Sequence, residues 1–165
     1  SVTRLLEIGL DPFMFSDSLL AVLAQRLVRR LCTECRQAEP LETAAAHSLA
    51  RLYLQAGGPS TLLGEEALLA AWRDRFGDAQ GRLNQYRRQG CAACGGSGYH
   101  GRIAIIEVLT LSDAIRRLIL QHADAGTLRQ AAREEGMLSM YEDGCLKALD
   151  GTTNIEEVLR VTQEG

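Results

Sequence analysis

Residues 91–102 read CAACGGSGYHGR, which places two cysteines, four glycines and an arginine in twelve positions just ahead of the apolar run Ile103-Ala104-Ile105-Ile106. Two residues between cysteines let both sulfurs of a tight turn face one ion. A matching pair, Cys32-Thr33-Glu34-Cys35, lies upstream. Two such turns supply the four thiolates of a closed tetrahedral site, so Cys32, Cys35, Cys91 and Cys94 are the candidate metal ligands and Zn2+ the candidate structural cofactor. The glycines at 95, 96 and 98 suit backbone that curls to turn amide N–H groups toward the sulfurs.

The pairs are separated by 55 residues, far more than in a compact zinc ribbon. Closing a loop of that length costs about 4 kcal/mol, whereas a structural zinc site contributes roughly 10–16 kcal/mol. Metal therefore outweighs closure, and the intervening residues form a subdomain hung on the ion. Two disulfides are the reading for a secreted chain, and a redox pair is the reading where CxxC opens a helix after a βαβ pattern. Neither a secretory leader nor such a pattern is visible in the sequence. The fifth cysteine, Cys145, sits with Leu146 and Leu149 in helical periodicity and reads as a small buried hydrophobe. His47, His100 and His122 are scattered; His100, beside Gly101, is the one with a metal-proximal alternative, and it reads as a surface histidine.

Working outward, Arg102–Leu109 is β-branched and reads as a strand. Residues 22–31 also read as strand, with Leu23, Gln25, Leu27, Arg29 and Leu31 sharing one face only imperfectly, a continuous helix being the alternative. Residues 1–9 have helical spacing ended by Gly9, Asp11-Pro12 starts a turn, and Ser16-Asp17-Ser18 caps a helix expected through about Val22. Residues 41–57 and 64–76 read as helices broken by Gly57-Gly58-Pro59-Ser60. After Leu109 everything is helical: Ser112 caps a helix through Leu120, Thr127 caps another ended by Gly136, and Ser139/Glu142 and Thr153/Glu156 have capping-box spacing. The fold class is thus mainly α with a small antiparallel β element.

With 46% hydrophobic and 24% charged residues and only 3 prolines, the composition excludes disorder and collagen-like repetition. No apolar stretch approaches the roughly 20 residues that span a bilayer. A net charge of −3 argues against a chain devoted to nucleic acid. Arginines 26, 29, 30 and 36 flank the first cysteine pair and 87, 88 and 102 the second, while the tail is acidic; such runs are solvated faces or partner surfaces. Beginning on Ser1 in helical periodicity, the chain is expected to be a piece of a longer protein.

Residues 90–97, GCAACGGS, nearly spell the phosphate-loop pattern GxxxxGK[ST], but Gly96 stands where the lysine must contact the phosphates. No apolar strand ending in aspartate, no Ser-His-Asp set and no HExxH follow. No catalytic or nucleotide-binding residue is assigned, and by its own residues the chain is not a complete enzyme.

Together, VTRLLEIGLDPFMFSDSLLAVLAQRLVRRLCTEC, GCAACGGSGYHGRIAIIEVL and NIEEVLRVT resemble the C-terminal part of the secretion ATPases of the type II secretion system, the GspE family, and their type IV pilus relatives, the PilB family. The resemblance spans nearly the whole chain except residues 40–88. It implies a homo-hexameric, RecA-like P-loop ATPase at the cytoplasmic face of the inner membrane, working with inner-membrane secretion platform proteins. ATP and Mg2+ would bind upstream of residue 1. It also implies boundaries: 1–31 as the end of the RecA-like core, 32–98 as a tetracysteine zinc subdomain with a helical insertion, 99–111 as the returning strand, and 112–165 as a terminal helical subdomain. Leu23–Leu31 and Arg102–Leu109 become neighbouring antiparallel strands, Cys32, Cys35, Cys91 and Cys94 fall on the family's metal ligands, and Gln25-Arg26, Arg29 and Gly101-Arg102 fall on its QRL and GR stretches. Secretion and pilus branches share these motifs. Cys91–Gly98 also satisfies CxxCxGxG of the DnaJ-type zinc domain, but Cys35 lacks the trailing glycines; a nucleic-acid zinc module is the other reading.

Overall fold

The computed structural model describes residues 11, 14, 17–56 and 64–163. The helix expected over 1–9 and the 57–60 break lie outside them. β1 (Ala21–Leu31) and β4 (Tyr99–Thr110) pair antiparallel, from Ala21↔Thr110 through Arg29↔Arg102 to Leu31↔Tyr99. Residues 22–31 are therefore strand, and the helical alternative falls. The register shifts between Arg29 and Leu31; Gly101, at φ 77°, lies on the β4 side of the shift, where a bulge needs a left-handed residue.

The helix expected through Val22 stops earlier, because Asp17 and Ser18 are helical but Leu19 and Leu20 are not and β1 begins at Ala21. Strand pairing starts there with Ala21↔Thr110 and continues at β-branched Val22 with Leu109. The face carrying Leu23 and Leu27 is also open rather than buried, these leucines being 56% and 50% exposed. Val28 and Ile105, on the other side, are buried with Val161.

Between the ribbon strands the chain forms β2 (Gln37–Pro40), α1 (Thr43–Gln55), α2 (Gly64–Phe76) and β3 (Asn84–Arg87). β2 and β3 pair antiparallel, a second small sheet the sequence reading did not include. Ala46, Ala50 and Tyr53 line one stripe of α1 at helical spacing and are buried. They pack on Leu68, Leu69 and Trp72 of α2, with the Tyr53 and Trp72 rings edge to face at 5.1 Å. Cys145 and Leu149 close this core from below.

The tail holds α3 (Asp113–Leu120), α4 (Ala125–Glu134), α5 (Met140–Leu149) and α6 (Ile155–Thr162). Ser112 caps α3 as expected, accepting from Ile115 N–H, and Ser139 and Glu142 form a reciprocal capping box on α5. Two caps differ. Asp124, not Thr127, caps α4, because its carboxylate accepts from Gly126 and Thr127 amides while the Thr127 hydroxyl donates to it. Asn154, not Thr153, caps α6, since the Thr153 hydroxyl is spent on the Arg29 carbonyl at 2.8 Å.

α5 and α6 also cover parts of the ribbon's outer edges. On β4, Ile106 N–H donates to Asp143 Oδ2 at 2.8 Å and Lys147 Nζ donates to Ala104 O at 2.8 Å. On β1, Arg29 N–H donates to Glu157 Oε2 and Leu31 N–H to Thr152 O, both at 2.9 Å. In an antiparallel pair outward groups alternate, so Ala21, Leu23, Gln25 and Leu27 also face outward. Among the described residues none is hydrogen-bonded to these outward backbone groups. Among the described residues no helix is long and apolar enough to cross a membrane.

Candidate metal centre

Each cysteine pair lies where a strand gives out. Cys32 follows β1 directly and its amide donates to Gly98 O at 3.0 Å, tying the first turn to the second. Cys35 and Arg36 amides fold back on Cys32 O at 3.3 and 2.9 Å. In the second turn Cys94 and Gly96 amides bond to Cys91 O at 3.3 and 2.9 Å. The insertion leaves and returns through β2 and β3, whose pairing at Gln37↔Arg87 holds its ends together beside the cysteines.

The result brings all four predicted ligands to one point. The sulfurs lie within 4.8 Å of one another. Cys32 to Cys91 and Cys35 to Cys94 are 3.9 Å, and Cys91 to Cys94 is 3.7 Å. A tetrahedron with metal–sulfur bonds of about 2.3 Å has edges of about 3.8 Å, so the spacing fits a metal ion. A disulfide needs sulfurs about 2.05 Å apart, and all five cysteines are free. Four thiolates also leave no open coordination position, as in sites that hold structure rather than activate water.

Amides surround the sulfurs. Gly98 and Cys91 N–H groups each donate to Cys94 Sγ at 3.2 Å, and Gly90 N–H donates to Cys35 Sγ at 3.3 Å. Gly98 acts as expected. Gly95 and Gly96 do not, because their amides close the turn on Ala92 O and Cys91 O. Gly90, at φ 105°, was missed; a Cβ there would come within 2.5 Å of Gly96 O, so only glycine brings its amide to Cys35. Hydrogen bonds from Cys91 and then Gly98 pull the Cys94 thiol down from its ordinary range. Burial, outweighing the Gly90 amide, pushes Cys35 up.

The remaining candidates behave as structural groups. Cys145 is fully buried, and burial pushes its thiol up to about 12. His100 is exposed. His47 Nδ1 lies 2.5 Å from Glu65 Oε1, bridging α1 to α2. Three of the arginines flanking the first cysteine pair bind α6 and the turn before it: Arg26 donates to Val161 O, Arg36 to Gly151 O, and Arg29 pairs with Glu157 at 2.6 Å. Nothing local in the sequence signals these pairs.

A family model described as Type II/IV secretion system protein matches residues 1–160. The type II secretion system protein HxcR of Pseudomonas aeruginosa is 38% identical over 99% of this chain and 26% of its own length. The type IV pilus assembly ATPase PilB of Thermus thermophilus is 38% identical over 99% of this chain and 16% of its own. For the type II secretion system protein E of Klebsiella pneumoniae the figures are 38%, 99% and 27%. The chain therefore spans about a quarter or less of the length of these relatives. With the matched region covering nearly every residue, the chain belongs to the type II/IV secretion system protein family and is a relative of its type II secretion and type IV pilus ATPases.

Proposed function

We propose that this chain is the C-terminal segment of a hexameric ATPase that powers type II protein secretion from the cytoplasmic face of the inner membrane. Cys32, Cys35, Cys91 and Cys94 hold one structural Zn2+, and the observation that carries this is the gathering of all four sulfurs within 4.8 Å of one another, with three of the separations at 3.7–3.9 Å. When bound, the ion supplies a rigid cross-link between the two turns and no reaction chemistry. Residues 1–31 and 99–111 then belong to the end of a RecA-like core, 32–98 to the zinc subdomain and 112–165 to a terminal helical subdomain. The open Leu23/Leu27 face and the uncovered β1 edge suit packing against the rest of that core. ATP and Mg2+ bind upstream, and the zinc subdomain carries the motor's motion toward membrane platform partners.

The test compares this chain with one extended upstream through the motor core. Protein purified without chelators should carry one zinc per chain in both, and only the extended chain should hydrolyse ATP. Absence of metal would refute the zinc assignment, and turnover by the short chain would refute the division of labour. The equal 38% identity to a pilus assembly ATPase favours a second reading, assembly of pili. Restoring piliation but not secretion in strains lacking their own ATPase would select it.

A further inference from the structure

We propose that metal binding at the cysteine centre and docking of α6 on the ribbon are a single linked equilibrium, with Glu157 as the positioning residue that joins them. The proposal rests on the metal-centre reading above. The turn 151–154, which leads into α6, is bonded to chain on both sides of the first cysteine turn. Before it, Leu31 N–H donates to Thr152 O at 2.9 Å and Thr153 Oγ1 donates to Arg29 O at 2.8 Å. After it, Arg36 donates to Gly151 O. The second cysteine turn is reached through Tyr99, the residue after Gly98, whose hydroxyl accepts from Asn154 Nδ2 at 3.0 Å. The Arg29 guanidinium lies 4.2 Å from the centre of that same ring.

Glu157 closes the assembly. It is 1% exposed, and a carboxylate at that depth is costly unless every oxygen is met. Oε2 accepts from Arg29 N–H at 2.9 Å and Arg160 Nη2 at 2.8 Å, and Oε1 accepts from Arg29 Nε at 3.0 Å and Arg160 Nε at 3.2 Å. The partner that supplies both a backbone and a side-chain donor is on β1, three residues before Cys32. Arg160, on α6 itself, meets each oxygen once, so what docking adds is the Arg29 amide and guanidinium, which reach Glu157 only when α6 is seated against the strand that delivers the first ligand. An ion that fixes the two cysteine turns relative to one another preserves the socket in which 151–154 and Glu157 sit. By linkage, whatever factor the metal adds to docking of α6, docking adds to metal affinity.

The experiment titrates the zinc-loaded 165-residue chain with a chromophoric chelator at neutral pH, for the parent, Glu157→Gln, Tyr99→Phe and Glu66→Gln. Glu66→Gln makes the same charge change at an exposed site on α2. Amide hydrogen exchange is read with and without zinc. The expected result is zinc affinity about tenfold weaker in Glu157→Gln, the low end of what groups supporting ligands contribute, a smaller loss in Tyr99→Phe, and no change in Glu66→Gln. On metal removal α6 amides should lose protection while those of α3 and α4 keep theirs. Parent-like zinc affinity in both Glu157→Gln and Tyr99→Phe, or α6 protection indifferent to metal, would overturn the linkage. Should Glu157→Gln fail to fold, Tyr99→Phe, which removes one hydroxyl, decides by the same criterion. A parent chain that takes up no zinc sinks the metal-centre reading itself, and the linkage with it.

Discussion

Arg29 meets Glu157 twice, giving its backbone amide to one carboxylate oxygen and its guanidinium to the other, across 128 positions of sequence. Burial pushes the Glu157 carboxyl up, but hydrogen bonds from Arg160 and Arg29 prevail and hold it at about 2 against an ordinary 4.5. A carboxylate depressed in the folded state stabilises fully above its unfolded value and loses that contribution as the pH falls toward its folded one. The parent should therefore exceed Glu157→Gln in stability by about 1–3 kcal/mol at neutral pH. That lead should close between about pH 4.5 and 2, as read from urea midpoints across pH. A pH-independent gap would show that the charge of Glu157 contributes nothing.

Cysteine labelling separates ligands from core. Cys145 should resist a thiol reagent until the chain is unfolded, because its thiol is buried and pushed up to about 12. The other four should be protected by zinc and react once a chelator is added. A Cys91→Ser change that weakens the site a hundredfold, about 2.7 kcal/mol, should lower the melting midpoint by roughly 5–11 °C. An unchanged melt would mean Cys91 is not a ligand.

Arg133 and Glu142 form a pair with side chains 5% and 0% exposed, linking α4 to α5. Arg133 also donates to Met137 O at 3.0 Å and to Ala56 O at 2.6 Å. Arg133→Ala strands a buried carboxylate and should cost about 3–5 kcal/mol. The double change Arg133→Met with Glu142→Gln removes both charges and should recover a substantial part, as read by denaturant unfolding. Equal losses in the single and double variants would show that the stranded charge is not the cause.

Gly144 lies inside α5, where alanine ordinarily adds about 1 kcal/mol of helix stability. Here a Cβ would fall 2.5 Å from Val158 Cγ1, a fully buried side chain of α6. Gly144→Ala should therefore destabilise by about 1–3 kcal/mol, and adding Val158→Ala should relieve the clash. Stabilisation by Gly144→Ala alone would mean that α6 yields at this contact.

Features with a local period or a fixed spacing were legible in the sequence. The cysteine pairs, the β-branched run of β4 and the helical spacing of 41–57 depend on residues a few positions apart, and the structure gathers the four sulfurs, forms the strand and forms a helix at Thr43–Gln55. β2 and β3 were not legible because QAEP and NQYR are four residues each, too short to show alternation, and one ends in proline. The caps on α4 and α6 slipped because Asp124 and Thr127, or Thr153 and Asn154, are all able to cap, and only the tertiary partners decide which does. The stripe from Leu23 to Leu31 is broken by the register shift after Arg29, with Leu31 buried and Leu23 and Leu27 open, and periodicity alone does not say which part of such a face is covered. The Glu157 and Arg36 contacts join residues more than a hundred positions apart, beyond any pattern of spacing.

Among the described residues, the groups that cap the ribbon edges stop short on β1, leaving the outward groups of Ala21, Leu23, Gln25 and Leu27 beside two half-exposed leucines. A strand left in that condition is a template for any other extended segment, including its own copy. Expressed by itself, this polypeptide should dimerise laterally and then gel as it is concentrated, and a lysine in place of Leu23 should keep it dispersed in storage.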